Sequence, residues 1–369
     1  MQKKLIALAI AGLAAVPAFA QSNVTIYGIV DMGYVYRGDN VDDNVKSRNA
    51  IDSGVANGSR LGFKGTEDLG NGLKAGFVLE QGILADTGAS AQGGRTFGRQ
   101  SFVSLTGNLG TVALGRQYAP QFLLLDSLDP FSTGQVGAGN NIYAIDVRLD
   151  NLAAYVSPTW SGFNVVAAYT FNAAGNEESP RIKGGLTDDI RVWAIAPSYS
   201  NGPVTVGLNY HNINPSAPGF DSTKVWDLGG SYDFGVAKLG LMFGQRKAGD
   251  SGDLTFNPAF ETSTQWMVGV TVPVGAAGKV LASYTHRKSE LTSAAKDVYG
   301  TNDDAKSGQW ALGYEHALSK RTSIYTAYSD INNKGSAKDN ADLSASVGDA
   351  TSDGAGYQRG FNLGLRHRF

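Results

Sequence analysis

The chain has 369 residues, 31 Lys and Arg against 33 Asp and Glu, 48 glycines and no cysteine. A near-neutral balance with no basic stripe argues against a nucleic-acid partner, and without cysteine there are no disulfides or thiolate metal sites. No stretch beyond the N-terminus approaches eighteen consecutive apolar residues, which excludes transmembrane helices and leaves the closed β-barrel as the other structure that can satisfy every backbone group in lipid.

Residues 1–20 read as a cleaved signal peptide. Lys3 and Lys4 are a basic start, Leu5 to Val16 an apolar run, and Ala18-Phe19-Ala20 a small-x-small cleavage site. An uncleaved anchor is the rival, but the run is too short to span. Cleavage after Ala20 leaves residues 21–369 as a single β-barrel domain, with 29 Lys and Arg against 33 Asp and Glu, a net charge of −4 (29 − 33).

From there the chain alternates apolar and polar residues in stretches of about ten, each closed by a turn. In 23–36, Val24, Ile26 and Val30 face one way and Thr25, Tyr27 and Asp31 the other. In 58–70, Leu61 and Phe63 oppose Arg60 and Lys64. In 73–81, Leu73, Phe77 and Leu79 oppose Lys74 and Glu80. Segments 99–107 and 110–118 follow, joined by a tight turn. After an interruption the pattern resumes over 147–158, 162–171, 189–200, 203–211, 224–234, 235–246, 264–274, 279–288, 308–319, 321–330 and 357–369. That makes about sixteen strands. Connectors alternate short and long, as in an up-and-down outer-membrane barrel with short periplasmic turns and long external loops.

The interruption, GRQYAPQFLLLDSLDPFSTGQVGAGNNIYAIDVR (115–148), is the least regular stretch. Pro120, Pro130, Gly134, Gly137 and Gly139 break any long strand or helix. Leu123, Leu124 and Leu125 are too apolar for a solvated loop, and Asp126 and Asp129 follow closely. A long loop of this kind within a regular β chain is usually functional; residues 119–147 are expected to fold into the barrel and narrow it. A water-soluble β protein would alternate too. It would have to bury the charges of the polar faces (Arg60, Lys64, Arg99 and Arg148), which a small core does not tolerate unpaired. Aromatics near strand ends, among them Tyr155, Trp193, Tyr199, Trp226, Tyr232, Trp266 and Trp310, suit interfacial girdles.

The stretches VTIYGIVDMGYVY, SRLGFKGTEDLGNGLKAGFVLEQG, GRQSFVSLTGNLGTVALGRQY, AYVSPTWSGFNVVAAYTF and the terminal LGLRHRF resemble the general-diffusion porins of Gram-negative outer membranes, in their β-proteobacterial branch. The resemblance covers essentially the whole mature chain apart from the long loops. It implies a sixteen-stranded barrel, a homotrimer in the outer membrane, and a third loop folded into the lumen as a constriction. It also implies a basic wall at Arg60, Arg99 and Arg148 opposite loop acids at Asp126 and Asp129. Where the enteric pattern has Pro-Glu-Phe this chain has Pro-Gln-Phe, so no acidic role passes to Gln121.

Strand period independently aims Arg60 and Lys64 inward. Opposed charges in a wet lumen make a transverse field, and a basic wall of three arginines plus Lys64 against two loop acids predicts weak anion preference. Tyr118, Asp31, Lys74 and Glu80 are further candidates for the lining. Arg116 shares the face of Val112 and Leu114; a charge toward lipid is costly, so that face is expected to meet another subunit. The terminal Phe369, in an alternating last strand, is a candidate signal for the barrel assembly machinery. The expected partners are outer-membrane lipid and lipopolysaccharide, sister subunits, and small hydrophilic solutes and ions. No cofactor or metal ligand is assigned. Asp39, Asp42, Asp43 and Asp52, Asp303 and Asp304, and Asp339, Asp342, Asp349 and Asp353 make the external loops candidates for Ca²⁺ or Mg²⁺, without the spacing of a calcium loop. His211, His286, His316 and His367 lie on separate strands and no hydrolase motif is present, so an outer-membrane hydrolase is a remote reading. A substrate-specific porin for a sugar, organic acid or phosphate is the closer alternative to general diffusion.

Overall fold

A computed structural model describes residues 23–173, 189–215, 221–248, 259–338, 340–348 and 356–369. The signal peptide predicted at 1–20 and Asp339, Asp349 and Asp353 lie outside the described residues. Sixteen antiparallel strands form the wall: β1 (Asn23–Asn40), β2 (Arg60–Gly70), β3 (Leu73–Leu84), β4 (Gln100–Gly107), β5 (Gly110–Tyr118), β6 (Arg148–Val156), β7 (Phe163–Thr170) and β8 (Ile190–Asn201) make the first half. The second half is β9 (Val204–Pro215), β10 (Thr223–Asp233), β11 (Lys238–Lys247), β12 (Phe260–Val274), β13 (Gly278–Leu291), β14 (Ala305–Ala317), β15 (Thr322–Gly335) and β16 (Tyr357–Arg368).

Each strand pairs with its sequence neighbour, and β1 closes the ring on β16 from Ile29↔Arg368 to Asn40↔Tyr357. Closure leaves no unpaired edge. Two shorter strands decorate the loops: Arg48–Ser53 against β1, and Ala89–Ser90 against β3. All sixteen segments expected from the alternation are strands. Several run further toward the long loops than the pattern alone indicates; β1 reaches Asn40 and β13 reaches Leu291.

The alternation explains itself in cross-section. On β14, Ser307, Gln309 and Ala311 are buried while Trp310 and Leu312 are exposed. On β10, Val225 and Asp227 are buried while Trp226 and Leu228 are exposed. Apolar side chains outside and polar ones inside suit a barrel that meets hydrocarbon. Aromatics form two belts on that outer face. Tilted pairs run around the upper one, Trp193 with Tyr210, Trp226 with Phe243, Trp266 with Tyr284 and Trp310 with Tyr328, at 5.2–5.5 Å between ring centroids. Tyr155, Tyr199, Tyr232 and Phe234 belong to the lower belt, near the short turns. Trp193 and Tyr199 are six residues apart on β8, ~20 Å along the strand.

Phe369 completes the seam. Its N–H donates to the Gly28 carbonyl at 3.1 Å and its carbonyl accepts from Gly28 N–H at 3.2 Å. Its ring covers the Gly28 Cα, where a side chain would collide with it. Deleting Phe369 removes two ladder bonds and that cover, so the fraction of refolded protein showing the heat-modifiable band on a gel should fall, while Phe369→Tyr should preserve it.

Candidate functional site

Between β5 and β6 the chain leaves the wall. Helix α1 (Pro120–Leu128) opens the excursion. Proline does not prevent this helix, because it occupies the first turn, where its missing N–H has no partner to lose. The helix ends at Asp129, the residue before Pro130, where helical backbone is disfavoured. Leu124, Leu125 and Leu128 pack with Tyr143, Met242 and Met267. Further on, Phe131, Val136 and Ile142 join Val35, Leu281 and Ile331. Leu124 and Leu125 thus have the packing partner their apolarity demands, whereas Leu123 borders the open space beside the helix.

Polar side chains from the buried face of the wall hold the rest of the segment. Asp227 on β10, fully buried, accepts from the Gln121 amide at 2.9 Å, the Tyr143 hydroxyl at 2.7 Å and the Asn209 amide at 3.1 Å. Gln265 accepts from Ala144 N–H at 2.9 Å and donates to its carbonyl at 3.2 Å. Gln309 donates to the Gly137 and Ala138 carbonyls and accepts from Asn141. Asn362 accepts from Val136 N–H at 3.0 Å. Two wall glycines permit the close approach: a Cβ at Gly240 would lie 2.5 Å from the Leu128 carbonyl oxygen, and one at Gly269 2.4 Å from the Pro130 ring. Asp227, Gln265, Gln309 and Asn362 were not singled out by the sequence, although each is a polar residue on the inward parity of an otherwise apolar strand.

The two loop acids have different surroundings. Asp129 accepts three backbone N–H bonds, from Phe131 at 3.0 Å, Thr133 at 3.0 Å and Gly139 at 2.8 Å. They fold the segment around it, holding Ser132 and Thr133 at φ near +50°, a region that costs a β-branched residue energy. Burial pushes the Asp129 carboxyl up to about 6 against the pull of those three bonds. Asp129 therefore knots the loop and does not face the pore. Asp126, bonded to the Thr133 hydroxyl at 2.8 Å, is the acid that lines the open space. Burial raises its carboxyl, and the Thr133 bond and the charges of Arg60 and Arg99 oppose that rise.

Across from Asp126 the expected arginines come together. Arg60, Arg99, Arg148, Tyr118 and Asp126 line one cavity of about 1050 Å³, measured to its open mouth. Buried Glu80 organises the wall: it accepts from Arg99 Nε at 2.8 Å and from the Tyr27 hydroxyl at 2.9 Å, with Arg60 Nη1 at 3.8 Å. Tyr118 accepts from Arg99 at 2.5 Å and from Arg148 at 3.2 Å, and the Arg148 guanidinium lies 4.6 Å from its ring centroid. Phe122 of α1 also stacks on that ring, at 4.9 Å between centroids. Arg148 has no carboxylate partner among the described residues.

Other expected positions are corrected. Asp31 is fully buried and does not line the lumen; it accepts from Ala56 and Asn57 N–H and from the Tyr325 hydroxyl, clamping the return of the first loop. Glu80 is the buried counter-charge of the arginines rather than a solvated lining group. Lys64 lies over the Tyr27 ring at 5.4 Å, four residues or ~13 Å along the strand from Arg60. Lys74 is six residues, ~20 Å, from Glu80, beside the short turn. Neither belongs to the arginine cluster. Arg116 needs no second subunit to balance its charge: Asp150 pairs with it at 2.5 Å and with Arg95 at 2.8 Å, and the Gly98 carbonyl accepts from its Nε. In the external loops, Asp52 pairs with Arg37 and Arg48, Asp39 with Arg359, and Asp304 with Lys288. Among the described residues no three acids or histidines form a group able to hold a metal ion.

Two tests follow from these contacts. Asp227→Ala strands three buried donors, at about 1–3 kcal/mol for an unsatisfied group, and should loosen residues 119–147, read as faster proteolysis within that segment while the barrel band on a gel persists. Asp129 has a folded pKa above its ordinary 3.8, so its contribution to stability is complete below about pH 4 and is lost as pH rises through about 6. Asp129→Asn should flatten the denaturation midpoint across that window.

The comparisons with known proteins come to the same place. The Gram-negative porin family matches residues 7–336. An outer membrane porin protein of Bordetella pertussis is 36% identical, and outer membrane porin protein 32 of Delftia acidovorans 35%, each alignment covering 100% of both chains. The structure of an anion-selective porin from Comamonas acidovorans superposes with a TM-score of 0.74 at 33% identity, covering 95% of this chain and 100% of that one. With a closed sixteen-stranded wall and a match over most of its length, the chain belongs to the Gram-negative porin family, whose place is the outer membrane.

Proposed function

We propose that the protein forms a water-filled channel for passive diffusion of small hydrophilic solutes and ions, weakly preferring anions, with residues 119–147 as its constriction. The observation that carries this reading is the single cavity lined by Arg60, Arg99 and Arg148 on one side and Asp126 on the other. Counting Glu80, three arginines meet two carboxylates, a local excess of one positive charge (3 − 2 = +1). Opposed charges in a narrow wet passage align polar solutes, and lining charge with width sets selectivity. The Comamonas acidovorans relative, named as anion-selective, supports the sign.

A homotrimer fits the outer surface. The two aromatic belts run mainly over β6 to β16, whereas β1, β4 and β5 present aliphatic side chains there, with Val24, Ile26, Val103, Leu105, Val112 and Leu114 all exposed. Aromatic girdles mark lipid interfaces; an aliphatic sector without them suits contact between subunits. Phe369, at the seam, is retained as the candidate assembly signal, and the external acids as candidates for divalent cations bridging to lipopolysaccharide.

Zero-current potential across a planar bilayer in a chloride gradient tests the channel and its sign. A unit charge ~5 Å from a permeating ion in water is worth ~0.8 kcal/mol, roughly fourfold. Arg148→Ala should lower the anion-to-cation permeability ratio by about that factor, and Asp126→Asn should raise it. A cation preference unaltered by Arg148→Ala would remove this account of the charges. Unheated protein should migrate as a trimer; migration as a monomer would count against the aliphatic sector as an interface.

A further inference from the structure

Between the two aromatic belts, on β9 to β12, the outer surface of the barrel is hollowed into an apolar groove of about 590 Å³. Val206, Leu228, Tyr232, Leu241 and Phe243 border it, and all five are exposed. Gly230 opens it. It lies on the outward parity between Leu228 and Tyr232 and puts no side chain there; a glycine inside a strand marks a place where another group can approach closely. Trp226 and Phe243, one of the tilted pairs of the upper belt, stand at the upper end. Tyr232 closes the lower end, six residues or ~20 Å from Trp226 along β10. Aromatic belts mark the two membrane interfaces, so the groove lies at the depth of the acyl chains.

Above the groove, at the long-loop end of the same strands, are two lysines. Lys224 is the second residue of β10 and Lys247 the last of β11; they face each other directly in the ladder, both exposed on the outer side. Neither has a carboxylate partner among the described residues. Like charges directly opposite in a sheet repel, and a shared anion relieves that repulsion. Lys224 is two residues, ~7 Å, beyond Trp226, which places the pair at headgroup level. The outward arginine of the aliphatic sector is different, since Asp150 compensates Arg116. The uncompensated pair belongs to the sector that carries the aromatic belts.

We propose that Lys224, Lys247 and the groove beneath them form a binding site for a phosphorylated lipid of the outer leaflet, its phosphate bridging the two ammonium groups directly and an acyl chain lying beside Leu228 and Leu241. Lysine binds phosphate as a point charge, and a phosphate between the pair replaces one repulsion with two attractions. The groove holds the chain that the phosphate carries, so the two parts select a lipid over a free anion. The site rests on the outer-membrane placement of the chain and is independent of the channel reading.

Titration of the detergent-solubilised protein with diphosphorylated lipid A, and with the same lipid stripped of its phosphates, tests it, bound lipid being counted by native mass spectrometry. A lysine beside an anionic lipid surface is worth roughly fivefold in affinity. The phosphorylated lipid should therefore bind at least about tenfold more tightly than the stripped one, and Lys224→Ala with Lys247→Ala should bring the two together. Lys306 and Lys334 are a second directly opposed, exposed pair on β14 and β15; replacing both with alanine removes the same charge elsewhere on the rim and should leave binding unchanged. Val206→Trp fills the groove and should weaken both lipids. Equal losses from the two lysine pairs would show diffuse rim charge and overturn the site, as would equal affinity for the two lipids on the unaltered protein. Displacement by inorganic phosphate at the same concentration would overturn the part of the groove. Binding should survive EDTA; its loss there would move the phosphate onto a divalent cation and overturn the direct contact.

Discussion

The structure depends on how a non-strand segment satisfies its backbone inside a barrel. Residues 119–147 leave the wall's ladder, and their N–H and C=O groups need other partners once water is pushed aside. The wall supplies them mostly with amides. Gln265 both donates to and accepts from Ala144, Gln309 takes two carbonyls and one side-chain donor, and Asn362 accepts from Val136. An amide offers donor and acceptor together without a charge to desolvate, so a ring of them acts as a discontinuous strand edge. Where a charge is used, at Asp227, three donors surround it, which is what an ionised group needs to be tolerated in a buried place.

That anchoring determines what the passage presents. With α1 pinned to one side of the wall, Asp126 is held across from the arginines, and Phe122 reaches far enough to stack on Tyr118. Tyr118 in turn positions both Arg99 and Arg148 through its hydroxyl, while Glu80 fixes Arg99 from behind. The guanidinium groups are therefore oriented before any ion arrives. The field needs no rearrangement when a solute enters, which is how fixed dipoles and charges act most strongly.

Much of this was legible from the residues alone, for a physical reason. A strand has a period of two, and a wall that meets lipid outside and water or loop inside writes that period plainly; all sixteen strands and the irregular 115–148 stretch follow from it. Identity of the basic cluster was legible too, through the resemblance, because Arg60, Arg99 and Arg148 lie in well-patterned stretches. Depth was not. Period says which face a residue takes and nothing about how far along the pore it lies, so Lys64 is grouped with an arginine ~13 Å away along its strand, and Lys74 shares a face with Glu80 ~20 Å from it. Burial within the lumen was equally hidden: Asp31, Glu80 and Asp129 read as lining acids, yet each is enclosed by donors, Asp31 and Glu80 by groups from other strands and loops and Asp129 by backbone N–H groups of its own loop. Arg116 misled for a related reason. Its outward parity was read correctly, but Asp150 reaches it from the next strand, beside the bulge that shifts the register between Gly115 and Gln117.

The charge balance also limits what the field can do. In a wet passage at physiological salt the screening length is about 8 Å, so each ion responds chiefly to the few side chains it passes closely. An excess of one charge in such surroundings gives a bias and not a filter. Discrimination of higher order then has to come from contacts that screening does not weaken. Apolar surface is of that kind, and Phe122 and Leu123 of α1 present it in the same cavity as the arginines.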